Sequence, residues 1–215
     1  MKFFVDTADI DEIKEAFDLG IISGVTTNPV LMERAGTMEM EKRVKKIRSI
    51  CDCELFAQVL GKTKEEILPQ ARIISSWCDN ITVKIPLNIG GIQAISQLNR
   101  ENIRTLTSIV YDVGQALAAA VAGATYIAPF VHRSKEVGWD GKRLVQNISE
   151  IYQIQNVKTQ IVAASIATPL DVIEMAECGA QIVTASLSVW KALIKNKMTD
   201  ETLDSFLVNW KNETL

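Results

Sequence analysis

The sequence is poor in the residues that usually bind metals or build redox centres. Among 215 residues there are one histidine and four cysteines, namely Cys51, Cys53, Cys78 and Cys178. "CDC" is a C-x-C pair rather than C-x-x-C, and His132 lies far from it along the chain. This spacing does not match a zinc site, so we interpret the cysteines as reduced thiols and expect no bound metal.

Signals for nucleotides, nucleic acids and membranes are also missing. There is no Walker loop and no G-x-G-x-x-G, so no nucleotide cofactor is expected. The formal net charge of −3 gives no reason to propose nucleic acid as a partner. No apolar run approaches the ~18 residues of a membrane span, and Asp6 comes too early for a signal-peptide core. We expect a cytoplasmic protein that does not bind membranes.

Short apolar strands alternate with helical segments along the whole chain, which we interpret as one domain over residues 1–215. The predicted strands are 2–6, 24–28, 55–60, 81–86, 105–110, 125–131, 159–165 and 181–186. Eight βα units imply parallel strands joined by crossover helices, in an open doubly wound sheet or a closed (β/α)8 barrel. Eight even repeats and no glycine-rich first turn favour the TIM barrel within the α/β class.

One segment remains after the eighth unit. Residues 199–212 begin with Thr199 and place Leu203, Phe206, Leu207 and Trp210 at helical spacing. We expect a C-terminal helix that packs on its own barrel or on a neighbouring subunit.

A lysine stands in the middle of the strand "ITVKIP". Side chains alternate across a strand, so Ile81, Val83 and Ile85 share one face while Lys84 lies on the other. In a barrel the apolar face meets the helices, and Lys84 therefore points into the interior.

Other strands carry polar residues at corresponding places. These are Asp6, Thr26, Asn28, Gln58, Ser108 and Ser165, and Arg133 follows strand six. Most lie near the carboxyl ends of their strands, where barrel active sites are built. Unpaired buried polar groups cost ~1–3 kcal/mol each, so several together indicate a function.

The lysine narrows the chemistry. Burial disfavours the ammonium form, and a neutral amine can attack a carbonyl to form a Schiff base. Asp6 is the one strand-end acid on the proposed inner face, and it can take a proton from the hydroxyl at the cleaved bond. The structural alternative is an Asp6–Lys84 ion pair inside the barrel.

Several motifs together resemble the small transaldolase family, which includes short transaldolases and fructose-6-phosphate aldolases. "FVDTADIDEI", "GVTTNP", "VKIP", "AGATYIAPFV" followed by "HR", and "AAS" before a proline occur in the family's order. The resemblance covers essentially the whole chain. It implies a (β/α)8 barrel, no cofactor, a sugar or sugar phosphate as substrate, and a homo-oligomer, often a pentamer or decamer.

The resemblance also implies roles for individual residues. Lys84 would form the Schiff base and Asp6 would handle the hydroxyl proton. Gln58 and Ser108 match the positions that hold a catalytic water. Asn28, Ser165 and Thr26 would hold the dihydroxyacetone fragment, and Arg133 matches the phosphate-binding arginine.

Two departures from the family pattern concern the activity. The family's transaldolases usually carry Glu and Phe, and its aldolases Gln and Tyr, where this chain has Gln58 and Phe130. We lean to the aldolase because Gln58 and the "TLTS" of strand five look more like the aldolases, and we keep the transaldolase as the alternative.

The second departure is Ala167. Relatives generally carry Arg or Lys at this position, so we expect weaker recognition of phosphorylated substrates. A sugar-phosphate isomerase and a non-catalytic assembly protein are more remote alternatives.

Overall fold

Eight parallel strands close into a barrel in the computed structural model, which describes residues 1–210. The strands are β1 Lys2–Asp6, β2 Ile22–Thr26, β3 Glu54–Gln58, β4 Ile81–Pro86, β5 Thr105–Val110, β6 Tyr126–Pro129, β7 Gln160–Ile166 and β8 Ile182–Ala185. Because β1 pairs with both β2 and β8, the sheet has no free edge. The prediction of a (β/α)8 barrel is confirmed, and an open doubly wound sheet is excluded.

Helices follow every strand and surround the barrel. They are α1 Ile10–Asp18, α2 Pro29–Arg34, α3 Met40–Arg48, α4 Lys64–Ser75, α5 Ile89–Arg100, α6 Val113–Val121, α7 Val131–Glu136, α8 Gly141–Ile154, α9 Pro169–Glu177, α10 Leu187–Ile194 and α11 Lys197–Trp210. None of those helices combines the length and the hydrophobicity that a membrane crossing requires.

Two separate apolar layers stabilise the barrel. The larger layer lies between the strands and the helices and includes Val83 and Ile85 of β4, both fully buried. The smaller layer fills the barrel interior, where the rings of Phe4 and Phe56 lie 5.6 Å apart. Burying each of these side chains stabilises the fold by roughly 1.5–3 kcal/mol.

The aromatic side chains of the interior fill its amino-terminal half. The rings of Phe56 and Tyr126 meet edge to face at 5.4 Å, and the Tyr126 hydroxyl donates to Glu54 Oε1 at 2.6 Å. Gly24 makes room for Phe4, because a Cβ at this position would lie 2.5 Å from the ring. The open space of the barrel is therefore at its carboxyl end.

Several predicted strand ends were wrong, because helices begin earlier than the apolar runs suggest. β2 ends at Thr26 rather than at residue 28, since Asn28 caps α2 and Pro29 begins that helix. β6 ends at Pro129 because α7 begins at Val131. β3 ends at Gln58, two residues before the predicted end at residue 60, although α4 begins only at Lys64.

Both ends of α9 carry residues that suit a helix terminus. Thr168 caps α9, where its hydroxyl accepts from the amide of Asp171 at 3.1 Å and Pro169 is the first helical residue. Gly179 follows the same helix with φ +82°, a left-handed conformation that glycine adopts without strain.

The C-terminal helix begins earlier than predicted. α11 starts at Lys197, and Asn196 caps it in place of Thr199, because its Oδ1 accepts from the amide of Met198 at 2.9 Å. The predicted end of the helix, residues 211–212, lies outside the described residues. Leu203, Phe206 and Leu207 are each more than half exposed.

Candidate active site

A cavity of about 450 Å³ opens at the carboxyl end of the barrel. The structure brings all nine predicted site residues to its wall: Asp6, Thr26, Asn28, Gln58, Lys84, Ser108, Phe130, Arg133 and Ser165. They come from seven of the eight strands or the segments that follow them, which is how barrel sites are usually assembled.

Lys84 is the deepest charged residue of the cavity. Its side chain is 7% exposed, and its Nζ donates to the carbonyl oxygen of Thr27 at 3.4 Å. Burial lowers the pKa of Lys84, and the negative charge of Asp6 opposes that shift without cancelling it. The amine therefore loses its proton more readily than an exposed lysine does.

Among the described residues, Asp6 is oriented by one hydroxyl group and not by a salt bridge. The Thr26 hydroxyl donates to Asp6 Oδ1 at 2.6 Å, and Thr184 Oγ1 lies 2.6 Å from Thr26 Oγ1. Across residues 1–210, no carboxylate lies within 4.0 Å of Lys84 Nζ. A direct Asp6–Lys84 ion pair thus does not explain why the lysine is buried.

Gln58 and Ser108 flank the lysine on the two neighbouring strands. Gln58 stands beside Lys84 in the β3–β4 register, and Ser108 stands beside Pro86 in the β4–β5 register. Ser108 is 1% exposed and lines the cavity as part of the barrel wall. An amide and a hydroxyl in these positions can both donate and accept hydrogen bonds.

Asn28 has a fixed orientation because its side chain caps α2. Its Oδ1 accepts from the amide of Leu31 at 3.0 Å. The side-chain NH₂ group of Asn28 remains as a donor on the cavity wall.

Ser165 reaches the cavity through an irregularity in β7. Its φ is +56°, and the register with β8 shifts between Ala163 and Ile166. Regular alternation would turn Ser165 toward the helices, whereas the extra residue turns it toward the cavity. Its Oγ accepts from the amide of Arg133 at 3.3 Å.

The rim of the cavity carries an aromatic ring and two arginines. The guanidinium of Arg133 lies 5.8 Å from the centre of the Phe130 ring, which Tyr111 contacts edge to face at 5.9 Å. Arg34, at the end of α2, also lines the cavity. No ion pair holds Arg34 or Arg133 within the described part of the chain, so both charges are available to an anionic group.

Sequence reasoning missed several wall residues. The alternation of β8 could have predicted Thr184, because it places this residue on the same inner face as Ile182. Arg34 carried no signal, because it lies on a helix and reaches the cavity only in the folded chain. Ile109 was missed because alternation assigns it to the outer face of β5.

Ala167 lies outside the cavity lining. It is exposed, and its amide donates to Asp171 Oδ2 at 3.0 Å as part of the turn before α9. His132 is also not among the lining residues, and its Nε2 lies 4.0 Å from Glu136 Oε1 on the same helix.

The arrangement supports covalent chemistry on a carbonyl compound. A buried amine with a lowered pKa can act as a nucleophile, and a carboxylate held by the Thr26 hydroxyl can exchange a proton with the bound compound. The two arginines at the rim suit a substrate whose far end is anionic.

Comparison with known proteins points to one family. Residues 3–214 match the sequence model of the Transaldolase/Fructose-6-phosphate aldolase family. A probable transaldolase of Thermoplasma volcanium is 43% identical over 213 residues, which cover 98% of this chain and 96% of that protein. A probable transaldolase of Clostridioides difficile is 40% identical over 215 residues, which cover 100% of this chain and 99% of that protein.

A solved structure shares the fold. Thiamine phosphate pyrophosphorylase from Pyrococcus furiosus superposes with a TM-score of 0.61 at 18% sequence identity, over 94% of this chain and 96% of that one. At this identity the similarity concerns the barrel alone.

Proposed function

Because the chain belongs to the transaldolase/fructose-6-phosphate aldolase family, we propose that this enzyme is a Schiff-base aldolase of the fructose-6-phosphate aldolase type. The observation that carries the proposal is the buried amine of Lys84, whose pKa is lowered and which has no carboxylate partner among the described residues. A neutral amine in a polar cavity is what imine formation requires.

The proposed cycle begins at the C2 carbonyl of a ketose such as fructose 6-phosphate. Lys84 Nζ adds to C2, and loss of water gives a protonated imine. Asp6 takes the proton of the C4 hydroxyl, the C3–C4 bond breaks, and its electron pair moves into the imine to give an enamine. Glyceraldehyde 3-phosphate leaves as the aldehyde product.

The remaining steps return the enzyme to its starting state. A water held by Gln58 and Ser108 relays the proton from Asp6 to C3 of the enamine, which leaves Asp6 ionised again, and hydrolysis of the imine releases dihydroxyacetone. In this proposal Thr26, Asn28 and Ser165 bind the dihydroxyacetone unit. All three residues line the cavity, and the side-chain NH₂ group of Asn28 remains there as a donor.

Phosphate recognition relies on the arginines of the rim. Arg133 is the proposed phosphate ligand, Arg34 lies on the same rim, and Ala167, which follows β7, supplies no further cation. We therefore expect a lower kcat/KM with glyceraldehyde 3-phosphate as acceptor than in relatives that carry a cation at this position. Steady-state kinetics of both enzymes with that acceptor would test this, and an equal or higher value here would contradict it.

The alternative function is a transaldolase of the pentose phosphate pathway. In that case the enamine on Lys84 attacks the aldehyde of erythrose 4-phosphate before it is protonated. Phe130 favours this alternative, because it has no hydroxyl with which to orient the catalytic water. The relatives described above also bear the name probable transaldolase.

We further propose a cytoplasmic homo-oligomer, a pentamer or decamer, in which α11 packs on a neighbouring copy. The support is the exposed apolar stripe formed by Leu203, Phe206 and Leu207, which the chain's own barrel leaves uncovered. Monomeric proteins seldom expose such contiguous apolar surface.

Reductive trapping tests the proposed chemistry. Borohydride added with dihydroxyacetone or fructose 6-phosphate should fix a covalent adduct on the peptide that contains Lys84, as measured by mass mapping. Lys84→Met should abolish the adduct and keep the fold, whereas Lys158→Met, at an exposed position, should not affect it. An unmodified Lys84 in the parent chain would overturn the mechanism.

A second measurement separates the two activities. Fructose 6-phosphate cleavage is followed with and without erythrose 4-phosphate. Cleavage at a similar rate without the acceptor supports the aldolase, and strict dependence on the acceptor supports the transaldolase.

A further inference from the structure

Ile109 adopts a backbone conformation that isoleucine rarely tolerates. Within residues 1–210, five residues other than glycine have positive φ, and three of them are asparagines, which accept this conformation more easily. The other two are Ser165 and Ile109, with φ of +56° and +66°, and both line the cavity. Strain of this kind is concentrated at functional sites, where the surrounding structure holds it.

A bulge in β5 produces the conformation of Ile109. The β5–β6 register runs from Ser108 opposite Ala128 to Val110 opposite Pro129, so Ile109 is the extra residue. Val110 is fully buried between the barrel and the helices as a result. Ile109 faces the cavity instead of the helices and is 38% exposed.

The isoleucine side chain is not needed to form the bulge. Glycine would adopt the same φ without strain, because it has no Cβ to collide with the backbone. A branched side chain makes the conformation more costly, and here it adds to the apolar part of a cavity wall that also carries polar groups. Its effect therefore falls on whatever occupies the cavity.

The position of Ile109 near the mouth of the cavity places it beside the space for the aldehyde acceptor. It follows Ser108 directly and so lies nearer the mouth than the lysine, which stands beside Leu106 in the β4–β5 register. An aldehyde that reacts with an enamine on Lys84 must occupy the space between the lysine and the mouth. We propose that Ile109 is a specificity-determining residue that narrows this space and selects short aldehyde acceptors over bulky ones.

This inference rests on the proposed function, and two variants test it. Ile109→Ala removes most of the side chain and keeps the strained conformation, whereas Ile109→Gly removes both. The measured quantity is the ratio of kcat/KM for phenylacetaldehyde to kcat/KM for glycolaldehyde, with dihydroxyacetone as donor. We expect both variants to raise this ratio by roughly tenfold, the effect typical of a changed apolar pocket wall.

The outcomes separate specificity from structure. If Ile109 only shapes the bulge, the glycine variant gains thermal stability, the alanine variant does not, and the ratio is unchanged in both; that result overturns the proposal. Ile154→Ala, a truncation at an exposed isoleucine far from the cavity lining, should leave the ratio unchanged. A changed ratio in that control would also count against the assignment.

Trapping of dihydroxyacetone on Lys84 distinguishes this proposal from the proposed function. The adduct should form equally in the parent chain and in both Ile109 variants, because Ile109 lies on the acceptor side. If the parent forms no adduct, the proposed function fails and the acceptor assignment fails with it. If the adduct forms and the ratio does not change, only the role of Ile109 is overturned.

Discussion

The charge state of Lys84 depends on two opposite effects. Burial favours the neutral amine and lowers its pKa, while the carboxylate of Asp6 favours the ammonium and partly reverses that shift. Because Asp6 is oriented by Thr26 and does not form a salt bridge with the lysine, burial dominates. The amine becomes nucleophilic at a pH below the ordinary pKa of lysine.

The first prediction concerns Asp6→Asn. The amide oxygen can still accept from Thr26, but the negative charge that raises the pKa of Lys84 is gone. The pKa of Lys84 should therefore fall further, and a larger fraction of the amine should be neutral at a given pH. The midpoint of the pH profile for borohydride trapping of dihydroxyacetone should move to lower pH.

Trapping with dihydroxyacetone is the suitable measurement because it involves no cleaved C–C bond. The proposed role of Asp6 in proton transfer during cleavage then does not enter. Asp18→Asn, an exposed carboxylate at the end of α1, should leave the midpoint unchanged. A midpoint that moves to higher pH in Asp6→Asn would contradict this account of Lys84.

At the scale of the strands, two bulges change which residues reach the cavity. β5 and β7, which both neighbour β6, each contain one residue with positive φ at a register shift. Each extra residue enters the cavity wall, while the residues that follow, Val110 and Ile166, return to the outer layer. The bulges thus add two side chains to the wall without disturbing the core.

The second prediction compares Ser165→Gly with Ser165→Ala. Both variants lose the Ser165 hydroxyl, which accepts from the amide of Arg133 and which the proposed function assigns to binding of the dihydroxyacetone donor. The KM for this donor should therefore rise similarly in both. Only glycine relieves the left-handed strain, and we expect Ser165→Gly to be the more stable variant by about 1–2 kcal/mol. Thermal unfolding should show a difference of roughly 2–4 °C for each kcal/mol.

Equal unfolding temperatures for the two variants would show that residue 165 is not left-handed in solution. A rise in KM for one variant alone would mean that the hydroxyl of Ser165 does not act in donor binding.

At the scale of the whole molecule, α11 carries an apolar stripe that the chain's own barrel leaves exposed. Leu203, Phe206 and Leu207 are 54%, 65% and 55% exposed, although they share one face of the helix. Covering such a stripe with a second copy would remove it from water and stabilise the assembly.

The third prediction tests this by Phe206→Glu. A charge in the centre of the stripe should weaken the packing of α11 on a neighbour, because burying an unpaired carboxylate is costly. Sedimentation velocity should show smaller species than the parent chain forms. Ser205→Glu adds the same charge to the opposite face of the helix and should leave the assembly intact.

Two results would contradict this prediction. One is an unchanged sedimentation coefficient for Phe206→Glu, and the other is a monomeric parent chain. Either result would mean that the stripe on α11 does not hold the assembly together.

The sequence by itself determined the barrel and the direction of its central lysine. Eight alternating strand and helix patterns predict a closed parallel sheet, and the two-residue period of a strand places Lys84 inside it. Both follow from local backbone geometry, which each short segment carries in its own residues. The same reasoning reached Asp6, Gln58 and Ser108, and it could have reached Thr184.

The tertiary structure alone decided which residues the bulges and the segments distant in the chain contribute to the cavity wall. Ile109 faces the cavity because of the register between β5 and β6, and that register depends on the pairing of two strands. Arg34 reaches the rim from a helix, and Asp6 of β1 accepts from Thr26 of β2, whose hydroxyl in turn contacts Thr184 of β8. These features depend on cross-strand register and on packing between segments distant in the chain, which the alternation within a single strand does not encode.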